Sequence, residues 1–228
     1  MDYKRNLKYF KPKPPLGFPI GLIVLGVLTL KFMIGIILIA AGVIWLVTSK
    51  KGMPTEAELD TEAAKLCEGI ESYALKKMSL EKEELVAPTV MFWGYDLGRP
   101  VLTDPIVGKE RLQDKKGTDN KWRSPHVVVN VILFTENEIH SMRRYISLVS
   151  DAKIDKKDEF AYKHVAGISS DTEQFEYTDE RTGRKENRQR NIVILRSGGE
   201  RFPFNAIDIE TAENAEKALK TMWRQKNV

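Results

Sequence analysis

Four side chains in this sequence are of types that do chemistry unaided: three histidines, His126, His140 and His164, and one cysteine, Cys67. An imidazole can move a proton or hold a metal, and a thiolate can attack or ligate. His164 draws the eye first, because it sits in FAYKHVAGISS, residues 160–170, between aromatics and a Val-Ala-Gly-Ile run. Spacing argues against a site, however. The histidines are far apart and fall on three different predicted strands, and only barrel closure could bring them together. Cys67 falls on the apolar side of a predicted helix, where packing is its expected role. A single cysteine excludes an intrachain disulfide and fits a reducing compartment. Phosphate-binding glycine loops, the zinc-protease His-Glu-x-x-His pattern and the Gly-x-Ser-x-Gly elbow are all missing from the sequence. The acids are scattered, mostly beside Lys or Arg, as on a solvated face. The expectation is therefore a non-enzyme with no catalytic residue, no cofactor, no metal and no identifiable small-molecule substrate.

A second kind of chemistry is electrostatic. Residues 181–190, RTGRKENRQR, carry five bases (Arg181, Arg184, Lys185, Arg188 and Arg190) and one acid, Glu186. Near a membrane, each such base is worth ~1 kcal/mol against anionic headgroups. They are the candidate contacts for anionic lipid or a partner. Alternatively, they are a solvated hairpin kept soluble by its charge.

Whether a membrane is near is decided upstream. Residues 16–48, LGFPIGLIVLGVLTLKFMIGIILIAAGVIWLVT, contain one charge, Lys31, in 33 positions. The stretch is too long for a signal-peptide core, and no small-residue cleavage site follows it. As one helix it would run ~50 Å, against a ~30 Å hydrocarbon core. Broken at Lys31-Phe32, it predicts a transmembrane helical hairpin of two short segments, about 17–30 and 33–48. The alternative is one span near 29–48. Pro19 suits a first turn, and Gly21, Gly26, Gly35, Ala40, Ala41 and Gly42 would let two helices approach closely. Both flanks are basic. Lys4, Arg5, Lys8, Lys11 and Lys13 precede the apolar run and Lys50 and Lys51 follow it. These residues are expected to set topology, with both termini and the bulk of the chain cytoplasmic.

The net charge of +4 hides this asymmetry. Of 36 bases and 32 acids, residues 1–51 hold eight bases and only Asp2 as an acid, which leaves the rest of the chain net acidic. A nucleic-acid-binding domain carries its excess basic charge on the folded module, so nucleic acid is not an expected partner.

After the membrane segment, residues 53–87 form a predicted linker-helix region. Its helix runs over about 56–78, opened by Thr55 and Glu58 at capping-box spacing. Strand periodicity then predicts 90–95, 127–134, 138–149, 160–168, 175–177, 192–195 and 201–204. An irregularity is expected at Ala166-Gly167 and a turn at Ser197-Gly198-Gly199-Glu200. The 96–124 segment reads as a long loop on which a partner could dock. Residues 209–226 form an amphipathic helix with Ala212, Ala215, Ala218, Leu219, Met222 and Trp223 on one face. A meander with one terminal helix cannot be a parallel sheet, which needs crossovers.

The runs VVVNVILFTENEIH, FAYKHVAGISS and IVILRSGGERFPF with the terminal helix resemble bacterial pleckstrin-homology-like (PH-like) domains over about 88–226, as found on Gram-positive membrane proteins. The N-terminal hairpin looks like their membrane anchors. The resemblance implies a binding or scaffolding module and no common enzymatic activity. Many members carry an acid where this chain has His164, so no role transfers there. The expected fold is α+β: N-terminal transmembrane helical segment(s) after a basic cytoplasmic stretch at 1–15, a linker helix, and a PH-like antiparallel seven-stranded bent sheet or barrel at 88–228, capped by a C-terminal helix. Phe160, Tyr162, Val165 and Ile168 are its expected packing residues. The expected location is the bacterial plasma membrane. The expected partners are the lipid bilayer and either a recruited protein or a second copy of the chain. An anionic-lipid sensor and an accessory subunit of a membrane enzyme or transporter are the alternatives.

Overall fold

The computed structural model describes residues 1–11, 17–48, 51–98, 101–102, 112–178, 183 and 185–226. Among these, α1 (Tyr3–Phe10) precedes a helical hairpin, α2 (Gly17–Leu28) and α3 (Met33–Thr48). Two helices follow, α4 (Glu56–Lys65) and α5 (Ile70–Met78). The strands are β1 (Val90–Tyr95), β2 (Lys115–Lys116), β3 (Trp122–Arg123), β4 (His126–Phe134), β5 (Glu138–Ser147), β6 (Lys153–Ala161), β7 (Val165–Thr178), β8 (Lys185–Ser197) and β9 (Glu200–Ala206). Helix α6 (Ile209–Lys226) closes the chain.

This overturns the expected fold class in two respects. First, no helix among the described residues is long and apolar enough to cross a membrane. With 12 residues in α2 and 16 in α3, the helices rise only ~18 and ~24 Å. Second, one seven-stranded bent sheet gives way to three separately hydrogen-bonded sheets, ordered β1-β4-β5-β6, β2-β3 and β7-β8-β9.

The physical reason for the division lies at two corners. At the first, Ala161 leads into a single 3-10 turn, Tyr162–His164, and the chain re-enters a different sheet at Val165. The expected strand over 160–168 is thus the joint between two sheets, with a register shift between Val165 and Gly167. At the second, β9 lies across β1. Gly94 makes this approach possible, since a Cβ there would stand 2.7 Å from the Asn205 carbonyl carbon. Side chains replace the missing ladder. Asn130 Nδ2 donates to Asn205 O at 2.8 Å, and Asn205 Nδ2 donates to Tyr95 O at 3.2 Å.

The main core fills the space between the two larger sheets. Phe92, Ile132, Phe134, Ile139, Phe160, Tyr162, Val165, Ile168, Val193, Leu195 and Phe204 meet Ala212, Ala215 and Leu219 of α6. Outside it, α5 lies on the far face of β4 and β5 through Ile70 and Ala74 against Val129, Val131, Leu133, Met142 and Ile146. Strand β4 is therefore buried at every position. That is why HVVVNVILF reads as a continuous apolar run rather than an alternation. The expected single helix over 56–78 is broken at Gly69, which sits at φ +67°, and the break lets α4 and α5 follow different parts of the sheet. The Thr55–Glu58 capping box opens α4.

Candidate functional site

The hairpin is sealed by glycine and apolar outside. A Cβ on Gly26 would meet Gly35 O at 2.7 Å, and one on Gly35 would meet Gly26 O and Thr29 O at 2.6 Å. The two backbones therefore touch, as small residues permit where helices pack in lipid. Thr29 and Thr48 return their hydroxyls to Leu25 O and Ile44 O at 2.8 and 2.7 Å, which leaves no unpaired hydroxyl on either helix. Large apolar side chains point away from the seam. Leu28, Met33, Ile37 and Val47 are 75, 82, 65 and 65% exposed. Phe18 and Trp45 meet edge-on at 5.5 Å across the open end, and Lys31 stands exposed in the turn.

Among the described residues before the hairpin, those of α1 are not a free basic tail. Helix α1 is docked on the β domain, with Phe10 buried beside Leu59, Ala63, Val127 and Leu148. Asn6 Nδ2 donates to Glu62 at 2.7 Å and to Leu148 O at 3.0 Å. Arg5, expected to set topology, makes a two-pronged contact with Glu58 at 2.7 and 2.8 Å. This bond, with the Thr55 amide, holds the Glu58 carboxyl down to about 2. Lys4, Lys8 and Lys51 are exposed. The backbone carbonyl of Lys11 accepts from Lys115 Nζ at 2.7 Å. Lys13 and Lys50 lie outside the described residues.

The structure describes three of the five bases of the 181–190 segment. Arg181 and Arg184 lie outside the described residues. Arg188 is only 4% exposed. Its guanidinium lies between the rings of Tyr177 and Trp122, 3.5 and 4.3 Å from their centroids, and binds Asp114 at 2.5 Å. It cannot reach a headgroup. Burial pushes Asp114 up to about 6 against the pull of Arg188. Arg190 binds Glu173 through two nitrogens. Lys185 is exposed but paired with Glu176 at 2.8 Å.

Part of the 96–124 segment, expected to be a docking loop, is packed instead. Leu97 and Leu102 are buried, and Arg123 is 1% exposed. Arg123 joins three elements. It donates to Asp60 of α4 at 2.6 and 2.9 Å and to Asp119 of the β2–β3 turn at 2.8 and 2.9 Å. Tyr95 of β1 donates to Asp60 at 2.8 Å. The Arg123 hydrogen bond holds Asp119 at about 2. Burial, with Asp60 adding to it, pushes the Tyr95 phenol up. Beside this lock lies a cleft of about 180 Å³ lined by Tyr95, Asp119, Trp122 and Arg190 among others, smaller than the ~300 Å³ at which ligand pockets begin. Arg123, Asp60 and Asp114 were not apparent as site residues in the sequence. Their types are ordinary, and only their burial marks them.

The histidines are not brought together. His126 and His140 are buried and His164 is exposed. His140 pairs with Leu133 in register, seven positions along β4 from His126, a separation of ~23 Å at strand rise. Burial pushes the Cys67 thiol up to about 11, which disfavours the thiolate a nucleophile needs.

No family model, no curated protein and no solved structure matches the chain.

Proposed function

We propose that this chain is a membrane-anchored presenting module. The α2–α3 hairpin is immersed in the bilayer from one face without crossing it. It holds a non-enzymatic, PH-like β domain at that face, the cytoplasmic one, to recruit or organise a protein partner. The single observation that carries this reading is the outward apolar surface of the hairpin. Side chains as large as Leu28, Met33 and Ile37 are left bare on both helices, while the seam between the helices is closed by glycine. Exposed apolar area of this extent marks a lipid or protein contact, and apolar side chains all round a helix pair suit lipid. Lys31 at the turn refines the placement. A lysine at the bilayer centre costs ~2.5–3.5 kcal/mol, so the hairpin tilts until that ammonium reaches headgroups on the side of entry.

Flotation of the full chain with liposomes is expected to depend on residues 17–48 and to resist high salt. A chain lacking them that still floats, or an intact chain that does not, overturns the anchor. With Cys67→Ser as background, a cysteine at Lys31 is expected to be unreachable by an impermeant maleimide added to the opposite face. Labelling from there overturns the non-crossing placement.

A further inference from the structure

We propose that Glu138, His140 and Glu159 form a binding site for a divalent first-row transition-metal ion of borderline character, such as Zn²⁺. The three side chains lie on one face of the β5–β6 pair. Glu138 and His140 are two residues apart on β5, and Glu159 of β6 stands directly opposite His140 in register. One donor atom from each lies within 4.8 Å of the other two.

Hydrogen bonding at His140 directs a free lone pair toward the cluster. The Thr135 hydroxyl gives its proton to Glu138 O at 3.1 Å, so toward His140 Nε2, 3.3 Å away, it can only accept. That assigns the ring proton to Nε2 and leaves the lone pair on Nδ1. The side chain is 9% exposed, and Nδ1 is buried with no hydrogen-bond partner. Glu138 Oε2 stands 3.8 Å from Nε2 and must swing across to share the ion, while Nδ1 faces another acceptor, Glu159 Oε1, at 3.7 Å. That distance is long for an N–H···O bond, which spans ~2.7–3.2 Å. It is close to the ~3.4 Å edge between two ligands of a tetrahedral ion with ~2.1 Å bonds. Fixing the second ring nitrogen with a hydrogen bond is also how proteins orient a histidine ligand.

The surroundings suit a cation. An open hollow of about 430 Å³ beside the cluster is lined by Glu84, Glu136 and Glu138, with Leu80, Thr135 and His140. Lys226 occupies Glu136 at 2.8 Å, and the hollow leaves room for a water to complete the coordination. A nitrogen donor among the three disfavours Mg²⁺ and Ca²⁺, which take oxygen ligands. The bound ion would pin β6, the outer strand of the four-stranded sheet, to β5.

Zn²⁺ titrated into the full-length protein in detergent, with Cys67→Ser as background, is the test. Saturable binding of one ion is expected. Glu159→Gln and His140→Ala should each weaken it at least ~tenfold, and His126→Ala and His164→Ala should leave it unchanged. Glu159 is largely exposed, so its substitution reports on ligation without threatening the fold. Co²⁺ in place of Zn²⁺ should give visible d–d bands that Glu159→Gln abolishes. Absence of saturable binding overturns the proposal. Binding that survives Glu159→Gln, or that follows His126 or His164, also overturns it.

Discussion

Replacing Arg123 with methionine is expected to destabilise the protein by about 3 kcal/mol. Removing one member of a buried ion pair costs about 3–5 kcal/mol because a charge is left without compensation. Here the two carboxylates differ. The Asp60 side chain is 28% exposed and Asp119 is 38% exposed, so Asp119 can turn to water while Asp60 is held among α4, β1 and β3. Most of the loss therefore sits with Asp60, at the lower end of that range. For a chain of this size a loss of about 3 kcal/mol corresponds to a fall in Tm of about 6–12 °C. Thermal unfolding of the full-length protein in detergent reads it directly. The partner substitutions separate the contributions. Arg123→Met with Asp60→Asn should recover about 1–2 kcal/mol, because the stranded charge is gone. Asp119→Asn alone should cost under about 1 kcal/mol. The reasoning is refuted if Arg123→Met leaves Tm unchanged, or if Asp119→Asn is as damaging as Arg123→Met.

Other outcomes follow from the same geometry. In the hairpin, Gly35→Leu forces a Cβ to 2.6 Å from the Gly26 carbonyl oxygen, whereas a Cβ on Gly21 meets nothing within 4 Å. A spin-label pair replacing Phe18 and Trp45 should therefore move apart in Gly35→Leu and stay put in Gly21→Leu; equal distances in both would show that the seam is not glycine-limited. Acid should release α1 and α4 first. Glu58 and Asp119 are both held at about 2 in the folded chain, below the ordinary carboxylate value of ~4. Depressed values of this kind stabilise above pH ~4, and that stability is lost as pH falls toward about 2. Amide exchange over 3–10 and 56–65 should accelerate in that window before exchange in β4 and β5 does. Simultaneous loss everywhere would refute it.

The elements legible in the sequence are those whose neighbours are close along the chain. The Thr55–Glu58 cap, the break at Lys31 and the single apolar face of α6 are local patterns, and each has its counterpart in the structure. Strand β6 escaped notice because KIDKKDEFA is an edge strand whose polar residues satisfy a row of water-facing positions. Strands β7 and β8 run far beyond their apolar cores, to Thr178 and back from Lys185, because cross-strand pairs such as Glu173 with Arg190 extend the ladder where hydrophobicity has stopped. Arg188 shows the limit most clearly. Its sequence neighbours are charged and suggest an exposed tip, but Tyr177, Trp122 and Asp114 enclose it. Trp122 and Asp114 are more than 60 residues away along the chain. Membrane reach failed for a simpler reason: the turn at Lys31 leaves helices of 12 and 16 residues, each shorter than a ~30 Å hydrocarbon core.

The docking of α1 has a consequence for how the molecule is made. Asn6 bonds the carbonyl of Leu148, a partner 142 residues later in the chain. At ~5–20 residues per second of synthesis, the first helix waits on the order of ten to thirty seconds for its seat to exist. The apolar hairpin, meanwhile, leaves the ribosome early and has no reason to wait. On the anchoring proposed above, the nascent chain enters lipid before its N-terminus is folded, and the β domain then closes over a helix already tethered beside it.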